Sequence, residues 1–190
     1  MTHVILIHSI VISLFIIMLI YQLIKRKMNK DRLKNINNTI LIFSKIQEIL
    51  EISKANIIYL FKYNYEKTFI KSHLIFLIDD KNQIKKELIN DLPVTTNTLF
   101  LNIFKSHDGT LHHVYKEYLD SEFMEGLFRD TYKMYYKNIF KEKKDEKGVY
   151  LKAYPIGYII LSYLKDHTLT TEEIDKIVEI IQDIKILMSN

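Results

Sequence analysis

The sequence predicts an α+β fold in which an N-terminal transmembrane helix precedes an antiparallel sheet, with the first and last helices of the domain packed on one face. Three observations predict it. Residues 4–24 contain no Asp, Glu, Lys or Arg. Segments rich in β-branched and aromatic residues, typical of strands, follow Ala55. An amphipathic helix closes the chain after Thr170, and a two-layer arrangement buries the apolar stripes of both helices.

The apolar run at residues 4–24 is long enough to cross a bilayer. As a helix that rises about 1.5 Å per residue, it extends roughly 31 Å, which matches the hydrocarbon thickness. A cleaved signal peptide is the alternative. However, no Lys or Arg precedes the run and no small-residue cleavage pattern follows it. We therefore expect residues 1–24 to be a transmembrane anchor.

A cluster of basic residues follows the run directly. Its members, which we call the basic cluster, are Lys25, Arg26, Lys27, Lys30, Arg32 and Lys34. Because basic residues beside a membrane segment stay on the cytoplasmic side, the cluster predicts a cytoplasmic domain. We expect it to contact the membrane surface through anionic lipid; a plain topological stop signal is a compatible alternative.

The basic cluster also accounts for the positive charge of the chain. Its six basic residues and one acid, Asp31, give +5, whereas the whole chain carries +4. The remaining residues are therefore close to neutral. Since nucleic-acid binding requires a basic surface on the folded part, we expect no nucleic-acid partner.

Residues 25–38 form the predicted basic juxtamembrane linker, and residues 39–190 form the predicted α/β domain. Apolar residues across this boundary alternate at intervals of three and four, with Gln47 as the one polar member. This is the pattern of a heptad seam. We call the apolar members the stem seam: Leu33, Ile36, Ile40, Phe43 and Leu50. The seam predicts either a helix packed on its own domain or a dimer stem that would give self-association.

The remaining elements follow from local patterns. Residues 56–64 and 68–78 are predicted to form a hairpin. Residues 83–89 predict a short helix, and the spacing of Tyr132, Tyr135, Tyr136 and Phe140 predicts another at residues 124–140. Residues 142–147 predict a charged loop, and two strands at 149–154 and 158–164 surround residues 155–157. Thr170 and Glu173 form a capping box, so the last helix is predicted to begin at Thr171.

The C-terminal part of this order resembles a GAF domain, a member of the PAS/GAF sensor superfamily. The motifs are a strand ending at Tyr154-Pro155-Ile156, a Gly-led strand at residues 157–161, a polar loop at 165–167, and Thr-x-x-Glu at the final helix. The resemblance extends over about residues 39–188. It implies a ligand pocket on the sheet face opposite the paired helices, dimerisation through those helices, and a signalling role without catalytic residues.

The whole arrangement also resembles the holin of T-even bacteriophages. Residues 54–80 and 157–181 are similar to its soluble domain in order and length. This resemblance implies a membrane helix that oligomerises into a lesion and a domain that receives an inhibitor. The holin's domain is periplasmic, whereas the basic cluster predicts a cytoplasmic one. The holin also has a charged segment before its membrane helix, which this sequence lacks.

No residue pattern predicts catalysis. The chain has no Cys, and its four Gly form no phosphate-binding loop. His107-Asp108 is better explained as a turn than as a metal-binding dipeptide, and the adjacent His112 and His113 should point apart. We expect a non-catalytic protein without metal or cofactor. Its expected partners are the lipid bilayer, a second copy, and a protein or small ligand on the domain; a purely structural tether is a third possibility.

Overall fold

The computed structural model describes residues 2–67, 69–79, 92–94, 98–106, 110–115, 128, 130–144, 146 and 150–189. Side chains are described from Met18 onward, except at residues 92–93, 98–100, 144 and 150–151. The predicted helix at residues 83–89 and the His107-Asp108 dipeptide lie outside the described residues. The chain divides into two units, Met1–Leu41 and Ile42–Asn190.

Helix α1 runs from Thr2 to Ser53 without a break. It ends where Lys54 adopts a left-handed φ of 53°. The Lys54 N–H donates to the carbonyl of Leu50 at 3.0 Å, which closes the last turn. No helix among the described residues is both long enough and apolar enough to cross a membrane. The side chains of residues 2–17, most of the predicted anchor, lie outside the described part.

The domain is built on one antiparallel sheet. Its strands are β1 (Ile57–Tyr65), β2 (Ile70–Asp79), β3 (Leu92–Pro93), β4 (His112–Tyr115), β5 (Lys133–Lys144) and β6 (Tyr150–Tyr163). Helix α2 (Thr98–Lys105) precedes β4, and α3 (Thr171–Ser189) follows β6. The spatial order of the strands is β3-β2-β1-β6-β5-β4. The central pair, β1 and β6, joins the two ends of the domain sequence.

The last turns of α1 and the whole of α3 cover one face of the sheet. Each helix buries residues at intervals of three and four, and these meet alternate residues of the strands. We call this cluster the helix-side core. Its most buried members are Ile46, Ile49, Ile58, Leu60, Ile78, Ile139, Ile159, Leu161, Ile177, Ile181 and Ile184. The prediction that the first and last helices of the domain share one face is confirmed.

The opposite face of the sheet carries a second cluster, which contains more rings. We call it the aromatic core, and its buried members are Tyr59, Phe61, Tyr63, Leu77, Val94, Ile103, Phe128, Met134, Tyr158 and Ile160. Helix α2 contributes Ile103 and the partly buried Phe104 to it. The sheet is therefore covered on both faces.

The predicted helix at residues 124–140 is wrong from Lys133 onward, because that segment is strand β5. Tyr135 belongs to the helix-side core, whereas Met134 belongs to the aromatic core. A strand that is buried on both faces has apolar residues at consecutive positions, so its two-residue period disappears from the sequence. The aromatic spacing then imitates a helix.

Two boundaries near this strand also differ from prediction. Strand β5 continues to Lys144, so the charged loop predicted at residues 142–147 begins too early. Strand β6 runs unbroken through Pro155, where two separate strands were predicted. A register shift between Ile139 and Phe140 accompanies the proline. A bulge at this point lets a residue without an N–H remain inside a strand.

The other predicted elements agree with the structure. The hairpin predicted at residues 56–78 is β1 paired with β2. The capping box at α3 is also confirmed. The Thr170 N–H donates to Glu173 Oε2 at 2.8 Å, and the Glu173 N–H donates to Thr170 Oγ1 at 3.2 Å. The helix begins at Thr171 as predicted.

Candidate functional site

The basic cluster forms a belt around α1. All six of its side chains are exposed. Successive helical residues are about 100° apart around the axis, so Lys25, Arg26 and Lys27 already point to three different sides. The other three members add to this belt. An arc of about 140° between Lys27 and Arg32 has no basic side chain, so the belt can meet anionic groups around most of the helix, whereas a patch would favour one direction.

The structure divides the stem seam between solvent and the domain core. Leu33, Ile36 and Ile40 are 61%, 46% and 60% exposed. By contrast, Leu50 is buried in the helix-side core, and Phe43 packs against that core. Only the first three residues of the seam are therefore accessible to a second copy of the chain.

The centre of the aromatic core is occupied by the domain's own rings. Phe61 and Tyr158 stack with centroids 4.7 Å apart, and Tyr63 lies 5.1 Å from Tyr158. Tyr59 meets Phe128 edge-on at 5.0 Å. These are the separations at which aromatic pairs attract beyond simple burial. The resemblance to GAF domains implies a ligand pocket on this face, so any ligand there would lie against these rings.

Buried hydroxyl and amide groups join the rings to their surroundings. The Tyr63 hydroxyl donates to Asn138 Oδ1 at 3.1 Å, and Asn138 Nδ2 donates to the carbonyls of Ile103 and Ser106 beside α2. This network fixes the end of α2 against β5. Since Asn138 serves as both acceptor and donor here, its amide orientation is determined by its neighbours.

A second hydroxyl pair lies deeper in the aromatic core. The Tyr158 hydroxyl donates to Ser72 Oγ at 3.0 Å. Burial raises the pKa of Tyr158 well above its usual value, and burial likewise raises the pKa of Tyr63. Both hydroxyls therefore stay neutral and keep their hydrogen bonds at physiological pH.

A buried lysine holds the start of β5 to the loop before α3. Lys133 is 3% exposed, and its ammonium lies 5.1 Å and 5.3 Å from the ring centroids of Tyr115 and Tyr135. It donates to Asp166 Oδ1 at 3.4 Å and to Thr168 Oγ1 at 3.2 Å. Burial lowers the pKa of Lys133, but contacts with the two tyrosines outweigh that effect and the net shift is upward. The group therefore remains charged and enclosed.

Metal-ligating chemistry has no support in the described part of the chain. No group of three or more His, Asp or Glu side chains there could hold a metal ion. His112 stacks on Tyr136, a residue of the aromatic-core side, whereas His113 contacts Tyr135 on the other side. The two histidines therefore point to opposite faces of β4, as predicted.

Sequence reasoning missed both polar networks. The Tyr63–Asn138 bond joins residues 75 positions apart, and the Tyr158–Ser72 bond joins residues 86 apart. A pattern of neighbouring residues cannot indicate a contact between residues so far apart in the sequence. Ser72 lies between Lys71 and His73, and Asn138 follows Lys137, so neither polar residue stands out in its segment.

No family model and no curated protein sequence matches the chain. Solved structures do match. A far-red cyanobacteriochrome photoreceptor is similar with a TM-score of 0.57 and 13% identity, over 88% of this chain and 97% of that one. A GAF domain/HD domain protein from Geobacter sulfurreducens has a TM-score of 0.54 and 8% identity, over 80% and 92% of the two chains.

The GAF domain of a two-component sensor histidine kinase from Bacillus halodurans is also similar. Its TM-score is 0.52 and its identity 8%, over 77% of this chain and 92% of that one. The fold therefore defines a GAF-like α+β domain, as the sequence resemblance implied. The identities are low, so the similarity concerns the fold alone.

Proposed function

We propose that the chain is a single-pass membrane protein that presents a GAF-like sensory or protein-interaction domain and catalyses no reaction. The observation that carries the proposal is helix α1, which runs as one element from Thr2 to Ser53. It contains the apolar run and the basic cluster, and its last turns enter the helix-side core. The basic cluster supports a cytoplasmic domain, because basic residues beside a membrane segment favour that side.

The sensory part of the proposal is supported by the fold. A photoreceptor and a sensor histidine kinase share it. For this domain we propose a protein partner or a small ligand as the signal. The aromatic core is the face on which a signal would act, because its rings and neutral hydroxyls offer stacking and hydrogen bonds to an uncharged group.

Fractionation of cells that express the full chain tests the anchor. Leu14→Arg together with Ile16→Arg places two charges inside the apolar run, and we expect the protein to leave the membrane fraction. The matched control, Asn35→Arg with Ser44→Arg, adds the same charge to exposed positions of α1 and should leave the protein in the membrane. Retention of both variants after an alkaline wash would refute the anchor.

A reporter fused after Asn190 tests the orientation. We expect the cytoplasmic reporter to be active and the periplasmic one to be silent. Replacing Lys25, Arg26 and Lys27 with Gln should mix the two orientations. A periplasmic domain, together with abrupt lysis on expression, would replace this proposal with the holin-like function that the sequence also resembles.

We also propose that two copies associate through the exposed part of the stem seam. In a parallel pair in register, the residues flanking the seam are Arg32 beside Asn37 and Thr39 beside Ser44, so no like charges meet. Fewer than two exposed heptads would associate weakly in solution. A shared membrane raises the effective concentration of the second copy and compensates for this.

Disulfide crosslinking tests the association cleanly, because the chain has no Cys. Ile36→Cys places a thiol on the seam, and Asn35→Cys places one on a neighbouring exposed side of the same helix. In membranes under mild oxidation, we expect a crosslinked dimer for Ile36→Cys and little for Asn35→Cys. Equal crosslinking of the two variants would refute a specific seam.

A further inference from the structure

The β1–β2 and β5–β6 hairpins meet at one end of the domain. The Tyr65 hydroxyl donates to the carbonyl of Pro155, and the rings of Tyr65 and Tyr154 lie 6.5 Å apart. Lys141 donates to the carbonyl of Ser189, in the last turn of α3, at 2.8 Å. The β5–β6 hairpin therefore continues beyond the helix. We call the described residues of 62–71 and 141–154 together the hairpin end.

Most of the charged side chains described in the hairpin end are basic. Six lysines oppose three glutamates, and the members are Lys62, Lys67, Lys71, Lys141, Lys143, Lys152, Glu66, Glu142 and Glu146. Two of the glutamates are already engaged. Glu66 pairs with Lys71 at 3.0 Å, and Glu142 pairs with Lys185 of α3 at 3.6 Å. The net positive charge is therefore concentrated on the remaining lysines.

Two of these lysines are directly opposed. Lys143 and Lys152 are register partners across β5 and β6, and both side chains are exposed. Like charges at directly opposite positions of antiparallel strands destabilise the pair. An anionic surface brought against the hairpin would remove this repulsion, so the arrangement is complementary to negative charge.

Aromatic rings accompany the lysines. Tyr65 is 46% exposed and Phe69 is 39% exposed at the tip of the β1–β2 hairpin. The Lys71 ammonium lies 4.9 Å from the centroid of the Phe69 ring. Rings at head-group depth, beside lysines that reach phosphates, are typical of surfaces that lie on a bilayer.

We propose that the hairpin end binds the surface of an anionic bilayer, with Lys143 and Lys152 against lipid phosphates and with Tyr65 and Phe69 among the head groups. This inference rests on the proposed function, because the anchor keeps the domain beside a membrane. The GAF-like domain would then have two membrane contacts, one through α1 and one through its own sheet. A signal that changed the second contact would reorient the domain.

Tryptophan fluorescence tests the proposal, because the chain has no Trp. The full chain with Phe69→Trp is reconstituted in vesicles of phosphatidylcholine alone or mixed with phosphatidylglycerol, each with and without brominated lipid. We expect the emission of Phe69→Trp to shift to the blue, and to be quenched by brominated lipid, only in the anionic vesicles. Tyr132→Trp is the matched control. Tyr132 is 48% exposed and lies just before the start of β5, at the other end of that strand from the hairpin end. We therefore expect the emission of Tyr132→Trp to be that of a water-exposed Trp in both kinds of vesicle.

Charge variants separate lipid binding from folding. Lys143→Glu creates an opposite-charge pair with Lys152 across the strands, so the hairpin should stay folded. We nevertheless expect the quenching of Phe69→Trp to fall to the level of the Tyr132→Trp control. Lys165→Glu, the same change at an exposed position away from the hairpin end, should leave the quenching intact.

Two results would overturn the inference. One is a solvent-like Phe69→Trp in anionic vesicles, as an acidic protein partner would predict. The other is equal quenching in neutral and anionic vesicles. Flotation of the vesicles distinguishes the two proposals. A chain that does not float with either vesicle refutes the anchor and the hairpin contact together, whereas a chain that floats with an unquenched Phe69→Trp refutes the hairpin contact alone.

Discussion

The two faces of the sheet are buried by different means. The helix-side core is mostly Ile and Leu, and two helices from opposite ends of the domain cover it. Half of the buried members of the aromatic core are Tyr or Phe, and the hydroxyls of Tyr63 and Tyr158 are bonded to Asn138 and Ser72. Aliphatic packing tolerates repacking at similar volume. A ring with a bonded hydroxyl accepts only one orientation, since misplacing it leaves a polar group unpaired.

This difference assigns the two faces different tasks. The helix-side core holds α1 and α3 against the sheet, which needs close packing but little chemistry. The aromatic core also contains hydroxyl and amide groups, whose hydrogen bonds fix the positions of the rings. Variants that separate packing from hydrogen bonding will therefore act unequally on the two faces. The expected effects below refer to the full chain in detergent, unfolded with urea.

High pH is expected to have the largest effect, because it acts on tyrosines of both faces. Burial raises the pKa of Tyr63 and Tyr158 in the aromatic core and of Tyr163 in the helix-side core above the usual 10. Below pH 10 the stability is complete. As the pH rises further, the unfolded chain ionises first and stability falls by roughly 1.4 kcal/mol per pH unit for each tyrosine.

Unfolding between about pH 9 and pH 11 checks this effect. Burial also raises the pKa of Tyr65, so four tyrosines contribute to the alkaline loss. Tyr63→Phe with Tyr158→Phe should therefore remove about half of that loss, and Tyr163→Phe about a quarter. The aromatic core would then be the more alkali-sensitive face. If stability fell equally per pH unit in the two variants, the two faces would not differ in their sensitivity to alkali.

Ile46→Ala is expected to cost about 4 kcal/mol of unfolding free energy. The side chain is fully buried in the helix-side core, so its loss leaves a cavity between α1 and the sheet. The control is Ile186→Ala on α3, where the side chain is 58% exposed. We expect the control to change stability by less than about 0.5 kcal/mol. Similar losses for both variants would mean that α1 is not held by packing.

Gly157→Ala is expected to cost about 3 kcal/mol, because the added methyl group would overpack the helix-side face. An added β-carbon would overlap the carbonyl oxygen of Phe61 in β1 and lie 2.8 Å from Met188 Cε of α3. The methionine can move, but the neighbouring strand cannot. Adding Met188→Ala should therefore not restore stability. Full recovery in that double variant would show that the loss comes from the contact with α3 and not from the contact with β1.

Tyr158→Phe is expected to have the smallest effect, about 1 to 2 kcal/mol. It keeps the ring and its stacking but leaves the Ser72 hydroxyl of the aromatic core unpaired. Ser72→Ala in the same chain removes the second partner and should recover part of the loss. Additive losses in the double variant would mean that the bond does not stabilise this face.

The sequence predicted the elements whose signals are local. Thr170 and Glu173 lie three residues apart, and their reciprocal bonds form within a single turn. Likewise, the β1–β2 hairpin pairs neighbours in the chain. The prediction for the segment of strand β5 was wrong because the burial of its residues depends on elements far away in sequence. Coverage of Tyr135 by the helices and of Met134 by the aromatic core is a property of the assembled sheet.

The candidate site was predictable only where its chemistry follows from charge and periodicity. The basic cluster and the exposed part of the stem seam are readable from the sequence because they need no tertiary partner. The Tyr63–Asn138 pair and the Tyr158–Ser72 pair each join two strands that have a third strand between them. Each pair therefore requires the register of three strands. Of the groups around Lys133, only Tyr135 is close in sequence. Tyr115 and the loop before α3 are brought to it by the fold, so the local sequence does not indicate that this lysine is enclosed.

Strand β6 is translated almost last, yet it lies between β1 and β5. During synthesis, the emerging β1–β2 hairpin therefore has one bare edge until Tyr163 has left the ribosome. At 5 to 20 residues per second, the wait from Tyr65 onward is roughly 5 to 20 s. An unpaired edge of that kind templates aggregation. A chain interrupted before Tyr150 would keep the edge permanently, so premature termination should yield insoluble fragments rather than a smaller folded domain.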